Sequence, residues 1–316
     1  MQRYIIRRVV LAIPTVFLVV AFTFSIVRLV PGDVVQIMMS ERPYATAADM
    51  EAMRRDLGLD RPIPAQFVSY VGDALRGDLG ESPWTQRSVT SEIKGRLPIT
   101  LELGVYSVLI GLLIAIPIGI VAAIRQDTML DYVARSFAIF ALSVPYFVTA
   151  LALVIFPVIW FGWAPPLKYV GWNEGPVAHL YFFFWPALLL GINSTGSVMR
   201  TTRTMMLEVM RQDYIRTAES KGLTERAVVL RHAMKNAMIP VVTLIGLQVG
   251  FAISGTLIME QIFNIPGMGR YFIGAIFSRD YWSVQGVVLV LAIVVVSVNL
   301  LVDLMYSVMD PRIRYG

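Results

Sequence analysis

The sequence contains no cysteine, which excludes disulfide bonds, thiolate catalysis and metal sites with cysteine ligands. Its two histidines, His179 and His232, lie far apart in the sequence, so no metal-ligating residues are predicted. Charged residues make up only 16% of the chain, whereas 56% of the residues are hydrophobic. A soluble globule of 316 residues needs a more highly charged surface. These deficits favour a membrane protein.

The motifs of nucleotide hydrolysis and of common hydrolytic enzymes are also missing. The phosphate-cradling pattern GxxxxGK[ST] does not occur, and neither do HExxH, GxSxG or a glycine-rich dinucleotide fingerprint. We therefore expect no catalytic residues and no cofactor bound by this chain. The net charge of +5 is typical of cytoplasmic loops rich in Lys and Arg, so no nucleic-acid partner is expected.

Six apolar segments are long enough to cross a bilayer, which takes about 20 apolar residues. They are Val9–Val27, Leu103–Ile124, Ser136–Leu167, Leu180–Met199, Ala237–Met259 and Trp282–Val302. The first is too long for a signal-peptide core and lacks a small-x-small cleavage site, so we interpret it as a retained helix. The third is too long for one span, and Pro157 with the GWAPP group is expected to end the helix inside it.

The distribution of Lys and Arg orients these spans, because such residues concentrate in short cytoplasmic loops. Residues 199–239 carry eight Lys and Arg against four Asp and Glu, and the chain has basic residues at both ends. Residues 31–98, on the opposite side, carry eight basic and ten acidic residues. We predict an all-α integral membrane protein with six transmembrane helices, cytoplasmic N and C termini, and an extracytoplasmic insertion between helices 1 and 2.

The insertion is predicted to be a small helical cap and not an independent domain. ATAADMEAMRRDLGL has apolar residues at helical spacing after Thr46, and Gly58 is placed to stop that helix. AQFVSYVGDALRG predicts a second short helix, whose apolar face is formed by Phe67, Tyr70 or Val71, and Leu75.

Charge within the spans would mark an ion or proton relay. The acidic residues nearest to the apolar segments are at or near span ends, within reach of water or headgroups: Glu102, Glu260 and Asp303. Three amide residues within the spans have no assigned role: Asn193, Gln248 and Asn299. A secondary transporter working alone is disfavoured but stays an alternative. A membrane-embedded enzyme would need a nucleophile or metal constellation, which the sequence does not offer.

A charged segment, residues 205–240, interrupts the apolar pattern before the fifth span. Residues 205–221 predict one amphipathic helix whose apolar face holds Leu207, Met210, Tyr214 and Ala218. Gly222 is placed to end it through a left-handed turn, and Thr224 to cap the next helix. That helix is predicted to carry a stripe of Ala227, Leu230, Met234 and Met238. Two interpretations fit: a loop lying on anionic headgroups, or a docking element for a cytoplasmic partner.

This charged segment resembles the signature loop of permease subunits of binding-protein-dependent ABC transporters, the MetI-like family. In that loop Glu-Ala-Ala is followed by three residues and Gly. Aligned on Gly222, residues 216–218 read Arg-Thr-Ala, so only the last alanine and the glycine agree. The variant RTA-x3-G followed by LRHAMKNAMIPVV is similar to the dipeptide/oligopeptide branch. Further stretches resemble that branch in order along nearly the whole chain: VPGDVV, DLGLDRPIPAQFVSYVGDALRGDLGES, RLPITLELGVYS, ALSVPYFVTALALV, IFNIPGMGRYFIGAIFSRDYWSVQGVV and NLLVDLMYSVMDPRIRYG. The 31–98 insertion is similar to that of the first permease of such a pair.

The resemblance implies a permease subunit of an ATP-driven importer in a prokaryotic inner or plasma membrane. It implies three kinds of partner besides membrane lipid: a second permease, two ATPase subunits that hold ATP and Mg²⁺, and an extracytoplasmic binding protein. The implied cargo is a di- or oligopeptide, with nickel complexes, glutathione or small oligosaccharides as alternatives. The chain would comprise residues 1–98, the first helix with the insertion, and residues 99–310, the permease core with a coupling loop at 200–240.

By the same resemblance, the helix around residues 205–224 is the coupling helix that docks on an ATPase. The residues assigned to it are Arg211, Asp213, Tyr214, Arg216, Thr217, Ala218, Lys221, Gly222 and Leu223. Tyr214, Ala218 and Leu223 are expected to make apolar docking contacts.

Two further groups of residues have a structural and a functional interpretation. In PGMGR, Pro266, Gly267 and Gly269 form either a tight turn or an outer gate that contacts the binding protein. In the fifth span, Gln248, Ser254 and Thr256 are candidates for the translocation path on polarity alone. Small polar residues also serve helix packing in membranes, so this assignment stays open.

Overall fold

The computed structural model describes residues 2–29, 32, 34–40 and 46–309. Within these ranges the chain is helical, with one isolated β-bridge between Glu81 and Ser88. The helices are α1 Gln2–Leu29, α2 Val34–Ser40, α3 Ala47–Asp56, α4 Ile63–Leu75, α5 Val89–Ile124, α6 Met129–Ser143, α7 Tyr146–Phe161, α8 Pro176–Met210, α9 Asp213–Ser220, α10 Glu225–Ile262, α11 Met268–Phe277 and α12 Tyr281–Met309.

Five of the described helices are long and apolar enough to cross a membrane: α1, α5, α8, α10 and α12. A sixth span results if the bent pair α6 and α7 crosses as one. The predicted fold class, an all-helical membrane protein, is therefore confirmed, with its third span divided between two helices.

The third span is divided at a position that was not predicted from the sequence. The helices α6 and α7 meet at Val144 and Pro145 with an angle of 91°. Val144 is extended (φ −96°, ψ 119°), because a residue before proline is disfavoured in the α region. The prediction that Pro157 ends the helix is wrong, since α7 contains Pro157 and continues to Phe161. The GWAPP group does end it, through Gly162 in the left-handed conformation.

The helical residues divide into two compact units. The first unit holds Leu101–Ile265 and the stretch from Val298 onward, with α8 packed on α6, α7 and α10. Within this unit α5 and α8 approach closely through Gly111 and Gly191. A Cβ added to Gly191 would lie 2.6 Å from the carbonyl oxygen of Ser107, so only glycine permits this backbone approach.

The helix α8 also sets the position of the segment that follows it. Its 35 residues extend about 50 Å at 1.5 Å per residue, well beyond the roughly 30 Å hydrocarbon core of a bilayer. The helix thus carries the chain out of an apolar span into the polar stretch that ends at Met210.

The second unit holds Gln2–Thr100 and Pro266–Ser297. In it, Thr46 and Asp49 form a reciprocal capping box at the start of α3, and Gly58 has φ +66°, as the two sequence signals predict. The helix α4 packs Phe67, Tyr70 and Val71 against α1. Leu75, predicted on the same face, is instead 84% exposed at the C-terminal end of α4.

The helices α11 and α12 complete the second unit through polar contacts with the insertion and with the start of α5. The backbone amide of Met268 donates to Thr100 Oγ1 at 2.8 Å, and Trp84 Nε1 donates to the carbonyl oxygen of Ser278 at 2.9 Å. These bonds join segments that are far apart in the sequence and hold α11 in place.

Candidate functional site

The charged hairpin consists of the end of α8, the short helix α9 and the start of α10. The sequence pattern predicts one helix over 205–221, but the chain breaks at Arg211 and Gln212, where Gln212 is extended (φ −76°, ψ 148°). This prediction was wrong about continuity, because the break redirects the chain so that Ile215 and Ala218 of α9 enter the apolar core of the first unit.

The turn after α9 has the predicted conformation. Gly222 has φ +77°, in the region that costs other residues free energy, and it follows the C-cap Lys221. Thr224 Oγ1 accepts a hydrogen bond from the amide of Ala227 at 3.4 Å and so caps α10.

The first turns of α10 bury a face that only partly matches the one predicted. A π-helical stretch, Val228–Ala233, places one more residue in each turn. Val228, Val229, Ala233 and Ala237 are buried together with Met206 and the two apolar residues of α9. Of the predicted stripe, Leu230 is exposed, because the wider turn shifts the buried positions away from the 3.6-residue pattern. Met234 and Met238 are half-buried against apolar clusters, as predicted.

Most residues assigned to docking are exposed on one short stretch. Tyr214 is 40% and Leu223 41% exposed, and the remaining exposed members are Arg211, Asp213, Arg216, Thr217, Lys221 and Gly222. Ala218 differs, because it is buried against the core and presents no surface to a partner in this conformation. The expectation of an apolar docking contact at Ala218 is therefore replaced by a packing role.

Polar contacts hold α9 against α10. The Tyr214 hydroxyl accepts a hydrogen bond from Asn236 Nδ2 at 2.8 Å and donates to the carbonyl oxygen of His232 at 3.4 Å. Arg216 and Asp213 form a solvent-exposed ion pair at 3.7 Å, which stabilises little. The exposed face of α9 thus rests on a packed and hydrogen-bonded base.

A buried ion pair that was not predicted from the sequence joins α6 and α8 before α8 leads into α9. Asp131 of α6 is fully buried and accepts from Arg203 Nε at 2.6 Å and from Arg203 Nη2 at 2.7 Å. The backbone amide of Asp127 donates to the same carboxylate at 3.1 Å, and Arg135 lies 3.7 Å away. An acidic residue in the first turn of a largely apolar helix was the available signal. The pair fixes α6 to α8 just before the hairpin.

A cavity of about 300 Å³ opens among α5, α7, α8 and α10 of the first unit. Its lining is Ser107, Tyr146, Leu190, Asn193, Ser194, Gln248, Phe251, Ala252, Ser254 and Gly255. Gln248 Nε2 donates to Ser197 Oγ at 2.6 Å, and Asn193 Nδ2 donates to the carbonyl oxygen of Ala141 at 3.2 Å. Hydroxyl and amide groups thus line an otherwise apolar space.

The three path candidates from the sequence do not lie together. Gln248 and Ser254 line the cavity, whereas Thr256 does not. Thr256 is fully buried, donates to the carbonyl oxygen of Ile253 at 2.7 Å, and has its methyl group beside Gly104. Its side chain therefore serves helix packing.

The PGMGR segment begins a helix and does not form the tight turn that was one of its two interpretations. Gly267, the N-cap of α11, has φ −94°, which any residue can adopt. Gly267 and Gly269 are buried, and Pro266 is half-buried. Of the three residues, only Pro266 presents a side chain with access to solvent.

The acidic residues expected near water have different surroundings. Glu260 is fully buried, so the expectation that water or headgroups reach it is wrong. Glu102 is partly exposed and its Oε1 accepts from Tyr106, Trp172 and buried His179 at 2.6 to 2.8 Å. The side chain of Asp303 lies outside the described residues. In the described part of the chain, no three His, Cys, Asp or Glu residues are grouped as metal ligands would be.

Sequence comparison places this architecture in a known family. Residues 115–315 match the family described as binding-protein-dependent transport system inner membrane component. Residues 1–104 match the N-terminal part of the same kind of membrane component.

Curated relatives align with the whole chain. The dipeptide transport system permease protein DppB of Escherichia coli (strain K12) is 38% identical over 100% of this chain and 99% of the relative. The di/tripeptide transport system permease protein DppB of Pseudomonas aeruginosa (strain UCBPP-PA14) is also 38% identical, with the same coverage. A putative peptide transport system permease protein of Brucella abortus (strain 2308) is 38% identical over 100% of both chains.

Solved structures share the fold at low sequence identity. An amino acid ABC transporter with histidines has a TM-score of 0.55 and 18% identity, covering 69% of this chain and 94% of that one. The MetNI methionine ABC transporter in an inward-facing conformation has a TM-score of 0.52 and 15% identity, covering 69% and 96%.

The resemblance inferred from the sequence is confirmed. The chain is a multi-pass inner-membrane transport component and not an enzyme. It belongs to the family of binding-protein-dependent transport system inner membrane components, among their peptide permeases.

Proposed function

We propose that the chain is one of two permeases that together form the path for di- or oligopeptides in an ATP-driven importer. The supporting observation is the 38% identity to dipeptide permeases across the full length of both chains. An extracytoplasmic binding protein delivers the peptide, and two ATPase subunits supply the energy. ATP and Mg²⁺ bind to those subunits and not to this chain, which lacks a phosphate-cradling loop.

The charge distribution supports an orientation with both termini and the 200–240 loop in the cytoplasm. That loop region carries an excess of Lys and Arg, whereas the 31–98 insertion does not. In this orientation α9 faces the compartment that holds ATP, and α3 and α4 face the binding protein.

We assign ATPase docking to the exposed residues of α9 and its turn, which we call the docking surface: Arg211, Asp213, Tyr214, Arg216, Thr217, Lys221, Gly222 and Leu223. ATP can shift a conformational equilibrium only if it stabilises one state more than the other. An element that transmits this difference in stabilisation to the permease must move as a rigid body. The buried Ile215 and Ala218 and the Tyr214–Asn236 hydrogen bond fix α9 to the hairpin and supply that stiffness.

We assign part of the peptide path to the cavity lined by Gln248 and Ser254. Its amide and hydroxyl groups can exchange hydrogen bonds with a peptide backbone, and its apolar residues tolerate varied side chains. Contact with the binding protein is assigned to Pro266, while the buried Gly267 and Gly269 position α11.

Reconstitution of the whole complex tests this function. The complex, purified through a tag on this chain, is placed in proteoliposomes with binding protein outside and ATP inside, and uptake of a labelled dipeptide is measured. Peptide uptake that depends on ATP and on the binding protein is expected. Uptake of a nickel complex, glutathione or an oligosaccharide instead of the peptide would contradict the cargo. Uptake by the chain without ATPase subunits would contradict the importer class.

A further inference from the structure

The second unit contains a polar cavity of about 280 Å³ that the proposed path does not use. It lies where the end of α1 meets the loops around α3 and α4 and the first turns of α12. Its size is close to the lower end of the range for small-molecule sites. The side chains in it differ in burial: Arg28, Tyr70 and Gln285 are partly or fully buried, whereas Asp56 and Asp78 are exposed.

Arg28 brings a positive charge to this cavity. Its guanidinium lies 3.5 Å from the centre of the Phe24 ring. It donates to Gln66 Oε1 through Nε and Nη2 at 3.1 and 3.0 Å, and to the carbonyl oxygen of Phe24 through Nη1 at 3.3 Å. These bonds use three of the five N–H groups of the side chain. Both acceptors, Gln66 Oε1 and the carbonyl oxygen of Phe24, are neutral, and no carboxylate among the described residues forms an ion pair with Arg28.

Two further polar groups at the cavity have no hydrogen-bond partner among the described residues. They are the Tyr70 hydroxyl and the Gln285 side-chain N–H₂ group, which are both buried. Tyr70 is 9% and Gln285 4% exposed, so the side chains have little access to bulk water. Buried polar groups are nearly always paired, and leaving one unpaired costs free energy. Burial raises the pKa of the Tyr70 phenol, so the hydroxyl keeps its proton and can donate.

Arg28, Tyr70 and Gln285 all offer hydrogen-bond donors to the cavity. They are a guanidinium with free N–H groups, a protonated phenol and an amide N–H₂ group. A planar, singly charged acceptor with two oxygens satisfies such a set, and guanidinium groups match carboxylates in a paired geometry. A cation is disfavoured here by the Arg28 charge, and an apolar ligand would leave the donors unpaired.

We propose that this cavity is a binding site for a small molecule bearing a carboxylate. The carboxylate lies against Arg28, Tyr70 and Gln285, and the rest of the ligand extends toward the exposed rim. The exposed rim carries both charges, Asp56 and Asp78 beside Arg55 and Arg61, so it can pair with the outer end of a zwitterionic ligand such as an amino acid or peptide.

The site is tested on the full chain in its complex, held in lipid nanodiscs, by line broadening of ¹³C-labelled acetate in NMR spectra. Saturable broadening is expected, and inorganic phosphate should compete poorly. Dialanine and dialanine amide are then added as competitors. Displacement by dialanine but not by its amide identifies a peptide carboxylate as the ligand, and displacement by neither identifies a smaller carboxylic acid. Both results support a carboxylate site.

Tyr70→Phe is the decisive variant, because it removes only the unpaired hydroxyl and keeps the ring that stacks on Phe24. We expect acetate binding to weaken about threefold to tenfold, while the thermal stability of the ligand-free complex is unchanged or higher. Tyr132→Phe, at an exposed tyrosine of α6, is the matched control and should leave binding unchanged. Arg28→Gln should weaken binding by tenfold or more.

Three outcomes would overturn the site: no saturable acetate binding, equal binding of phosphate, or equal binding by the Tyr70→Phe variant. Peptide uptake by the same preparation is measured in parallel. Intact uptake with no acetate binding refutes this site alone, whereas loss of ATP-driven uptake bears on the proposed transport function.

Discussion

Gly222 combines a backbone conformation that favours glycine with open space around it. Its φ is +77°, and a Cβ at this position would meet no atom within 4 Å. A substitution therefore acts through backbone strain, about 1–2 kcal/mol for an ordinary residue, and not through a clash. The turn that carries Lys221 and Leu223 thus depends on the φ preference of one residue.

This dependence on φ predicts that two substitutions of Gly222 with side chains of similar size will differ in their effect on coupling. Gly222→Val, with a β-branched residue at positive φ, should distort the turn and lower peptide uptake per ATP hydrolysed by about tenfold without affecting membrane insertion. Gly222→Asn should retain most of the coupling, because asparagine tolerates the left-handed region. The measurement is uptake and ATP hydrolysis by complexes in proteoliposomes. Equal losses in both variants would point to a contact and not to the turn.

The buried carboxylate of Asp131 gives a second prediction. Asp131→Asn removes the charge that Arg203 faces at 2.6 and 2.7 Å, leaving a largely buried guanidinium without a counter-charge. Breaking a buried pair in this way costs about 3–5 kcal/mol of unfolding free energy. Arg135→Gln, at a partly exposed residue 3.7 Å from the carboxylate, should cost less than about 1 kcal/mol. Thermal unfolding of the purified variants tests this ranking, and a comparable loss for both would contradict it.

At the scale of the elements, sequence patterns located helices better than their breaks. Thr46, Gly58 and Gly222 act as predicted because caps and left-handed glycines are local features. Proline is also a local signal, but Pro157 and Pro240 lie inside helices, so the sequence did not show that Pro145 is the one at the bend. The break at Gln212 followed no equally strong pattern. The apolar residues around each break fit a continuous helix, and packing within the first unit decides where the chain turns. The π-helical stretch, Val228–Ala233, moved the buried face for the same reason.

Two substitutions in and next to α9 separate residues that hold the helix in place from residues that contact the ATPase. Ile215→Ala creates a space in the buried cluster beneath α9 and should destabilise it by about 2–5 kcal/mol, raising amide hydrogen exchange in residues 213–220. Leu223→Ala, at a 41% exposed residue, should leave that exchange unchanged and weaken co-purification of the ATPase subunits.

Ile215→Ala should therefore raise hydrogen exchange in α9, whereas Leu223→Ala should weaken ATPase co-purification without raising that exchange. If Leu223→Ala left ATPase association unchanged while Ile215→Ala abolished it, α9 would support the hairpin without forming the docking surface. Loss of hydrogen-exchange protection in both variants would show that Leu223 belongs to the core of the hairpin.

At the scale of the whole molecule, the family and the helical membrane class followed from composition and ordered motifs, whereas the faces occupied by the polar span residues did not. Gln248 and Ser254 meet at one cavity, but Thr256 has the same kind of polarity and faces a packed helix interface. Hydropathy identifies a polar residue in a span without saying which face it occupies. The side chain of Glu260 was misplaced for the same reason, since its position near the end of α10 did not reveal its burial.

The source of energy is the remaining prediction at this scale. Among the described carboxylates near the spans, Glu260 is fully buried, and two are already engaged: Asp131 pairs with Arg203, and Glu102 accepts three hydrogen bonds. Neither resembles a site that would load and release a proton or Na⁺ in each cycle. Ionophores that collapse proton and Na⁺ gradients should leave peptide uptake by the reconstituted complex unchanged, and removal of ATP should abolish it. If the ionophores stopped uptake while ATP was present, an ion-coupled step through this chain would have to replace the ATP-driven one.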